Sequence, residues 1–483
     1  MFSQPVDFAT DATCFVIPDA VSPSDCQALI DRAEAAGIQV TQPDYPPSYR
    51  NNDRLVFDDP GLAAWLYERL RPFLPAHLSD DHGELSCVGL NPRFRVCRYQ
   101  DGQSFRIHQD GAHAQDADTV TRLTCQLYLN SAAAFSGGAT RFYAGRKGPL
   151  LGGVRPVCGQ VIVFDHLLWH DGEPVTDGCK YVLRSDVLYR RRQPKPSPAA
   201  PSDDNVLSGH RGYVWSVVAL GPGRIASASR DRTIRIWHTS GPRPQCVAAW
   251  NAAAASVSCL AYHDGALWSG SRDHTVTRWD LATGVHAVVH RGDGAVLGFA
   301  SQQQRLLVHD AAGVLSILAS DGARLSSHKV SQTWLWSVVC VSPTQVVCGD
   351  EEGVLRLCEL PIVQDERRPG RGAVHALVTL EDGRICAGFA SGHLALYQVA
   401  EGQLVEQTVW KAHDAEVYSV VHHQGRLASG GEDGQLHEWD VSGPPCLVGS
   451  HPHPAFVRSV AQDQHGVLWT GCYDGLVRRF ERK

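Results

Sequence analysis

His108-Gln109-Asp110, His170 and Lys180 stand in an order that could assemble a metal centre. Two imidazoles and one carboxylate occupy one face of a metal octahedron and leave the opposite positions open. That set suits non-haem Fe(II), which must hold a cosubstrate and dioxygen at the same time. The cation ten residues after the second histidine is placed to hold the far carboxylate of a 2-oxo acid chelating such a metal. With 23 histidines in the chain, an H-x-D followed by a distant His is easily matched by chance. The surrounding elements therefore decide.

Residues 94–99 alternate like a strand leading to the H-x-D, and 123–129 and 161–164 read as two more strands. Gly/Pro-rich turns at 136–138 and 155–159 separate them. Many short strands joined by such turns predict a mainly β domain, a double-stranded β-helix or jelly-roll, whose mouth can hold a small ligand. Flanking helices are expected upstream. Ser22-Pro23-Ser24-Asp25 reads as a helix start, with Cys26, Leu29, Ile30 and Ala33 on one face of residues 25–36. A second helical pattern covers 61–74. The polar loop between them carries Arg50 and Arg54, which either line a substrate channel over the barrel mouth or sit on an ordinary surface loop.

On these segments the chain resembles the prolyl 4-hydroxylase-like Fe(II)/2-oxoglutarate dioxygenases. The matching pieces are Tyr99-x8-His108-x-Asp110, Tyr128-Leu129-Asn130, Gly137-Gly138-Ala139-Thr140-x-Phe142 and Pro156-x-x-Gly159. The most specific is the run from His170-Asp171-Gly172-Glu173-Pro174-Val175 through Lys180 to Arg184-Ser185-Asp186. The resemblance implies iron on His108, Asp110 and His170, and 2-oxoglutarate on Lys180 with Tyr99 as a second contact. It implies O2 as the oxidant and oxidative decarboxylation of 2-oxoglutarate to succinate and CO2, coupled to hydroxylation of an unactivated C–H bond. Ascorbate, which such enzymes often use to rescue over-oxidised iron, joins the expected cofactors. Related halogenases carry a small residue in place of the carboxylate, so Asp110 implies hydroxylation. One departure is Ala139, where relatives commonly carry Glu; this puts substrate detail in doubt rather than the chemistry.

Each residue has a plainer reading. His166 competes for the distal ligand position, although the His-x-Gly-x-Pro-Val context favours His170. His113 reads as a surface imidazole or one that supports a ligand. Arg184 is a second candidate carboxylate clamp or an outward-facing strand residue. Lys180 as a solvated lysine and Tyr99 as a plain core aromatic stay open as alternatives.

The domain is expected to span 1–190. Residues 191–204 are Pro-rich and poor in apolar side chains, an extended linker whose flanking cations are solvated. Beyond it the chain repeats. Residues 227–237, 269–280, 429–440 and 470–480 echo one another, and weaker copies centre on Asp310, Glu351 and Ser391. The seven anchors, which begin at Asp231 and end at Asp474, are spaced 37 to 42 residues apart. That period, with Gly-His and Trp-Asp landmarks, is the WD-repeat signature of a four-stranded propeller blade. A seven-bladed β-propeller is expected over 205–483, closed by residues 205–208 as the missing outer strand of the last blade. The third and fifth blades lack a Trp-Asp, so the His–Ser–Trp hydrogen bonds cannot all form there. Repeat Asp, His, Ser and Trp residues are structural; Trp334, Trp336, Tyr213 and Trp215 near the blade tops are the candidate contacts.

At 483 residues there is chain enough for two cores. A net charge of −7 argues against nucleic-acid or anionic-membrane partners, and no apolar run reaches membrane length. No signal-peptide pattern opens the sequence. Fifteen cysteines without a C-x-x-C pair read as reduced thiols in the cytoplasm. The favoured expectation is a dioxygenase hydroxylating a prolyl or other residue of a peptide or protein recruited by the propeller. The alternatives are a small-molecule hydroxylase acting on a free amino acid, and a WD-repeat scaffold with a sensory or inactive oxygenase domain.

Overall fold

Local signals set the two helices. In the computed structural model, Pro23–Ala35 is helical and Ser22 caps it, accepting from Asp25 N at 3.1 Å. Pro60–Leu70 is capped by Asp59, whose carboxylate accepts from Leu62 N. Cys26, Leu29 and Ala33 are buried on the first helix, and Ala63, Leu66 and Leu70 on the second; Ile30 is only partly buried. The structure describes residues 4–6, 12–40, 46, 50–80, 83–100, 102–111, 118–146, 148–191, 205–240, 244–423 and 425–481. His113 and nearly all of the proposed linker lie outside them.

The chain divides into two compact units, Met1–Ala199 and Ala200–Lys483. In the first, a large sheet runs in the order Cys14–Ile17, Val161–Asp165, Thr119–Tyr128, Val175–Arg191, Arg93–Gln100 and Asp53–Asp58. Strand periodicity gives this sheet two faces. Leu123, Leu127, Val161, Val163 and Leu183 pack with the helices, whereas Tyr99, Tyr128, Ile162, Phe164 and Val182 join the other core. Both faces are covered, which explains the unbroken apolar run at 161–164. A smaller sheet, in the order Leu150–Val154, Thr140–Tyr143, Trp169–Gly172, Phe105–His108, completes the jelly-roll.

Among its described residues, the second unit forms seven four-stranded antiparallel sheets. The first blade runs from Val214–Ala219 at the inside to Gln245–Asn251 at the outside. The innermost strands pack in a ring that closes from Val457–Gln462 back onto Val214–Ala219. Val206–Leu207 pairs antiparallel with Val477–Phe480, so the segment before the first blade supplies the outer strand of the seventh. In blades one and six the polar set is complete. His210 bridges Asp231 and Ser227, and Trp237 Nε1 donates to Ser227 at 2.8 Å. His413 bridges Asp433 and Ser429 in the same way, and Trp439 donates to Ser429 at 3.0 Å.

Candidate metal centre

Strand pairing brings the two distant histidines together. Phe105–His108 and Trp169–Gly172 are neighbours in the small sheet, with His108 opposite His170 and their ring centroids 4.2 Å apart. Phe105 stacks on His108 at 3.6 Å, and Phe164 meets His170 edge-on at 4.7 Å. Asp110 lies just past the first strand, where its N–H donates to His166 O at 2.9 Å. His108 Nε2 is 3.6 Å from Asp110 Oδ1, and His170 Nε2 is 3.6 Å from Asp110 Oδ2.

The backbone fixes how these rings face. His108 Nδ1 bonds Arg106 O at 2.7 Å and His170 Nδ1 bonds Leu168 O at 2.9 Å. A carbonyl only accepts, so each Nδ1 carries the proton and each Nε2 turns its lone pair toward the carboxylate. Such outer bonds are what metal-ligating histidines use to hold their tautomer. The three residues are buried, and one ligand atom from each lies within 4.8 Å of the others. Burial, assisted by His108, lowers the His170 imidazole to about 3, so it is neutral at physiological pH. Burial pushes the Asp110 carboxyl up, yet the group is held well below the usual carboxylate range, chiefly by the Arg184 guanidinium beside it. A neutral imidazole at His170 and an ionised carboxylate at Asp110 are protonation states that suit a divalent metal.

Asp110 is also held from behind. Arg184 Nη2 approaches Oδ1 at 2.5 Å, and Thr124 Oγ1 donates to Oδ2 at 2.5 Å. A carboxylate has about four acceptor sites, so these two contacts leave room for a metal. Period 2 along Val175–Arg191 explains the placement. Lys180, Arg184 and Asp186 share one face of the strand, and Arg184 points inward rather than to solvent. Asp186 in turn sits 3.3 Å from Arg95 Nη1 and 3.6 Å from His166 Nε2. His166 is therefore drawn to Asp186, and it is His170 that faces Asp110.

Lys180 is 3 % exposed and donates to Gly138 O at 2.6 Å. Tyr99 is its cross-strand partner, with the ammonium 5.1 Å from the Tyr99 ring and 5.7 Å from that of Tyr128. Burial lowers the Lys180 ammonium to about 8 and raises the Tyr99 phenol to about 12. Gly138 adopts φ +74° beneath this lysine; a Cβ there would stand 3.1 Å from Lys180 Cδ. Arg50, from the polar loop, is buried, stacks 4.4 Å over Phe105 and donates to Cys97 Sγ and to Asn52 Oδ1. Arg54 lies on Asp53–Asp58 opposite Cys97 and is partly buried. Beside Ala139, Glu173 Oε2 accepts from Ala139 N at 3.1 Å. The sequence reading passed over Thr124. The signal was a threonine on the inner face of a strand whose other face is Leu123, Cys125 and Leu127.

Residues 94–185 match the 2OG-Fe(II) oxygenase superfamily, and residues 203–238 and 404–440 match the WD domain, G-beta repeat family. The chain joins a 2OG-Fe(II) oxygenase domain to a WD-repeat propeller. Among curated proteins it is similar to coatomer subunit beta'-1 of Arabidopsis thaliana, 37% identical over 84 residues that cover 16% of this chain and 9% of that protein. It is also similar to the CCR4-associated factor 4 homolog of Candida glabrata, 33% identical over 88 residues, 16% of this chain and 15% of that protein. The chain thus spans only a small part of the length of the curated relatives it matches. Among solved structures, the WD40 β-propeller domain of Doa1 superimposes with a TM-score of 0.53 at 20% identity, covering 58% of this chain and 96% of that one. A chain of the mitotic checkpoint complex gives 0.51 at 16% identity, covering 57% and 90%. These likenesses concern the fold. In the oxygenase domain, the family implies Fe(II), 2-oxoglutarate and O2, and the donor set of His108, Asp110 and His170 fits a divalent metal. No helix among the described residues is long and apolar enough to cross a membrane.

Proposed function

We propose that the oxygenase domain is a 2-oxoglutarate-dependent dioxygenase that hydroxylates an unactivated C–H bond, as in the prolyl 4-hydroxylase-like enzymes, on a peptide or protein recruited by the propeller. The observation that carries this is the convergence of two tautomer-fixed Nε2 atoms on one buried carboxylate, with a buried lysine on the facing sheet. When bound, Fe(II) with 2-oxoglutarate and O2 supplies the oxidising power, and succinate and CO2 are the expected coproducts. His108 and His170 would hold the metal through Nε2 and Asp110 through a carboxylate oxygen, leaving the opposite coordination positions open. Arg184 and Thr124 orient Asp110. Lys180 would hold the far carboxylate of 2-oxoglutarate, with the Tyr99 ring beside it. Phe142, Phe164 and Val182 are buried in the same core and exclude water. A cytoplasmic setting belongs to this reading, supported by fifteen cysteines without a C-x-x-C pair.

Anaerobic titration of the full chain with Fe(II) and 2-oxoglutarate tests the proposal. A weak visible charge-transfer band is expected in wild type and not in Asp110→Ala. A well-folded wild type with no band would sink it. One observation favours a second reading, a sensory or inactive oxygenase domain on a WD-repeat scaffold: Arg184 already pairs with the carboxylate the metal needs. That reading predicts that Arg184→Gln binds Fe(II) much more tightly than wild type.

A further inference from the structure

The innermost strand of every blade carries a register shift at its second residue. Such a bulge turns that residue out of the ladder and re-aims its side chain. In blades one, four, five and six the bulged residue is Trp215, Trp336, His375 or Tyr418, and in blade seven it is Arg458. These side chains converge. Trp336 lies 5.1 Å from His375, and His375 lies 5.4 Å from Tyr418. The Arg458 guanidinium is 5.6 Å from the Trp215 ring, 5.8 Å from Trp336 and 4.7 Å from Tyr418. A single group that meets rings from blades one, four and six lies across the mouth of the central channel.

A second cation joins it. Arg272, from blade two, packs 5.8 Å from Trp215 and 5.0 Å from Trp334. Both guanidinium charges also act on the Cys259 thiol of blade two, opposing the burial that raises it to about 12. Arg458 makes no ion pair among the described residues; its hydrogen bond there runs from Nη1 to Tyr418 O at 3.5 Å. Trp215 Nε1 is buried and has no partner among them. Acidic side chains nearby are already engaged: Glu351 accepts from Trp336 Nε1 at 2.5 Å, and Glu416 is 3.7 Å from His375.

We propose that this mouth binds an acidic peptide segment, with a Glu or Asp carboxylate seated on Arg458 and Arg272 and an adjacent apolar side chain against the rings. The guanidinium offers five donors in a fixed fork that matches a carboxylate, and Trp215 Nε1 adds another. Aromatic walls strip water from the cations and so strengthen the contact. A cationic ligand is disfavoured, because the ring of aromatics already holds a cation of its own. The inference rests on the reading that the propeller recruits the substrate, and it gives that substrate a chemical mark.

The test is fluorescence anisotropy of the full chain, without iron or 2-oxoglutarate, with a labelled peptide of alternating Glu and Tyr. The same peptide with Gln or Lys in place of Glu serves as control. Saturable binding of the Glu peptide alone is expected, weakened about tenfold or more by Arg458→Gln. Trp215→Phe keeps a ring but removes the N–H, and should weaken binding about threefold even if Arg458→Gln fails to fold. No saturation, equal binding of the Gln peptide, preference for the Lys peptide, or full binding by a folded Arg458→Gln would each overturn the proposal. Because neither metal nor cosubstrate is present, this outcome is independent of the iron titration.

Discussion

Among the described residues, two places bring two histidines and an aspartate within ligating distance of one another: His108, Asp110 and His170 in the oxygenase domain, and His413, Asp433 and His437 in blade six. By composition they are equal. By hydrogen bonding they are opposites. In the first, each imidazole gives its Nδ1 proton to a backbone carbonyl two residues upstream, so both Nε2 atoms face the carboxylate. In the second, His413 spends Nδ1 on Asp433 and Nε2 on Ser429, whose hydroxyl also takes the Trp439 indole proton. Blade one repeats that arrangement with His210, Asp231, Ser227 and Trp237. An imidazole with both nitrogens engaged is a strut between strands. One with a single lone pair aimed at an ionised carboxylate is a ligand in waiting. Proximity alone does not make a metal site; the direction of the lone pairs does.

The largest expected effect comes from removing the carboxylate of each cluster in turn. Asp110→Ala should weaken divalent-metal binding by more than the roughly 10–100-fold that losing an outer hydrogen-bond partner costs. Asp433→Ala should leave the metal stoichiometry and affinity as in wild type. Calorimetric titration with Mn(II), which needs no anaerobic handling, reads both. Equal losses in the two variants would mean that blade six also binds metal, and the contrast would collapse.

Arg184 sharpens the difference from the other side. It is partly exposed but pairs with the buried Asp110 carboxylate, and removing the partner of a buried charge costs up to about 3–5 kcal/mol because that charge is left uncompensated. Arg184→Leu should therefore lower unfolding stability by that order, measured in denaturant, and added Mn(II) should recover part of the loss by taking over the carboxylate's charge. A stability change near zero, or one that Mn(II) does not touch, would mean that Arg184 is not what holds Asp110.

The blade-six cluster predicts a smaller, purely structural effect. Ser429→Ala removes the hydroxyl that donates to His413 Nε2 and accepts from Trp439 Nε1, leaving two buried groups without their partner, at a cost of about 1–3 kcal/mol each where unsatisfied. A loss of thermal stability with unchanged metal affinity is expected. If Mn(II) binding weakened in parallel, the two clusters would be coupled and the comparison would need another basis.

The parts of each cluster were unequally legible in the sequence. The propeller announces itself through its period, because each blade must reproduce the same turn and the same buried strand. Even so, blade four departs from blades one, two and six, as blade three does, where Asp310 likewise ends the second strand. In blade four the anchor read from spacing is Glu351, but the buried carboxylate is Asp350, held by Ser331 at 2.8 Å and Arg356 at 2.5 Å. Nothing in the spacing shows a carboxylate moved by one residue and paired with an arginine of the next strand. In the oxygenase domain, His108, Asp110, His170 and Lys180 are marked by local motifs. What Arg184 touches is not, since its partner lies 74 positions earlier and meets it only once two sheets face each other. Thr124 is hidden for the same reason: its role depends on a face, and a face is a property of the assembled sheet.

The smallest predicted effect concerns protonation of Lys180, the cation beside the first cluster. Its ammonium is lowered by burial to about 8, against an ordinary value near 10.5. Between those values the unfolded chain holds the proton more readily than the folded one. Unfolding then takes up protons, and this lysine's burden on the fold lightens as pH rises from about 8 toward 10.5. Binding runs the other way. A carboxylate cosubstrate needs the charged lysine, so affinity for 2-oxoglutarate should be level below pH 8 and fall by up to about tenfold per unit above it. Isothermal titration of metal-loaded protein at stepped pH reads the slope, with Lys180→Arg as the comparison, since its guanidinium stays charged throughout. A break near pH 8 in wild type and none in Lys180→Arg would tie the far carboxylate to Lys180. The same break in both would place that proton on another group.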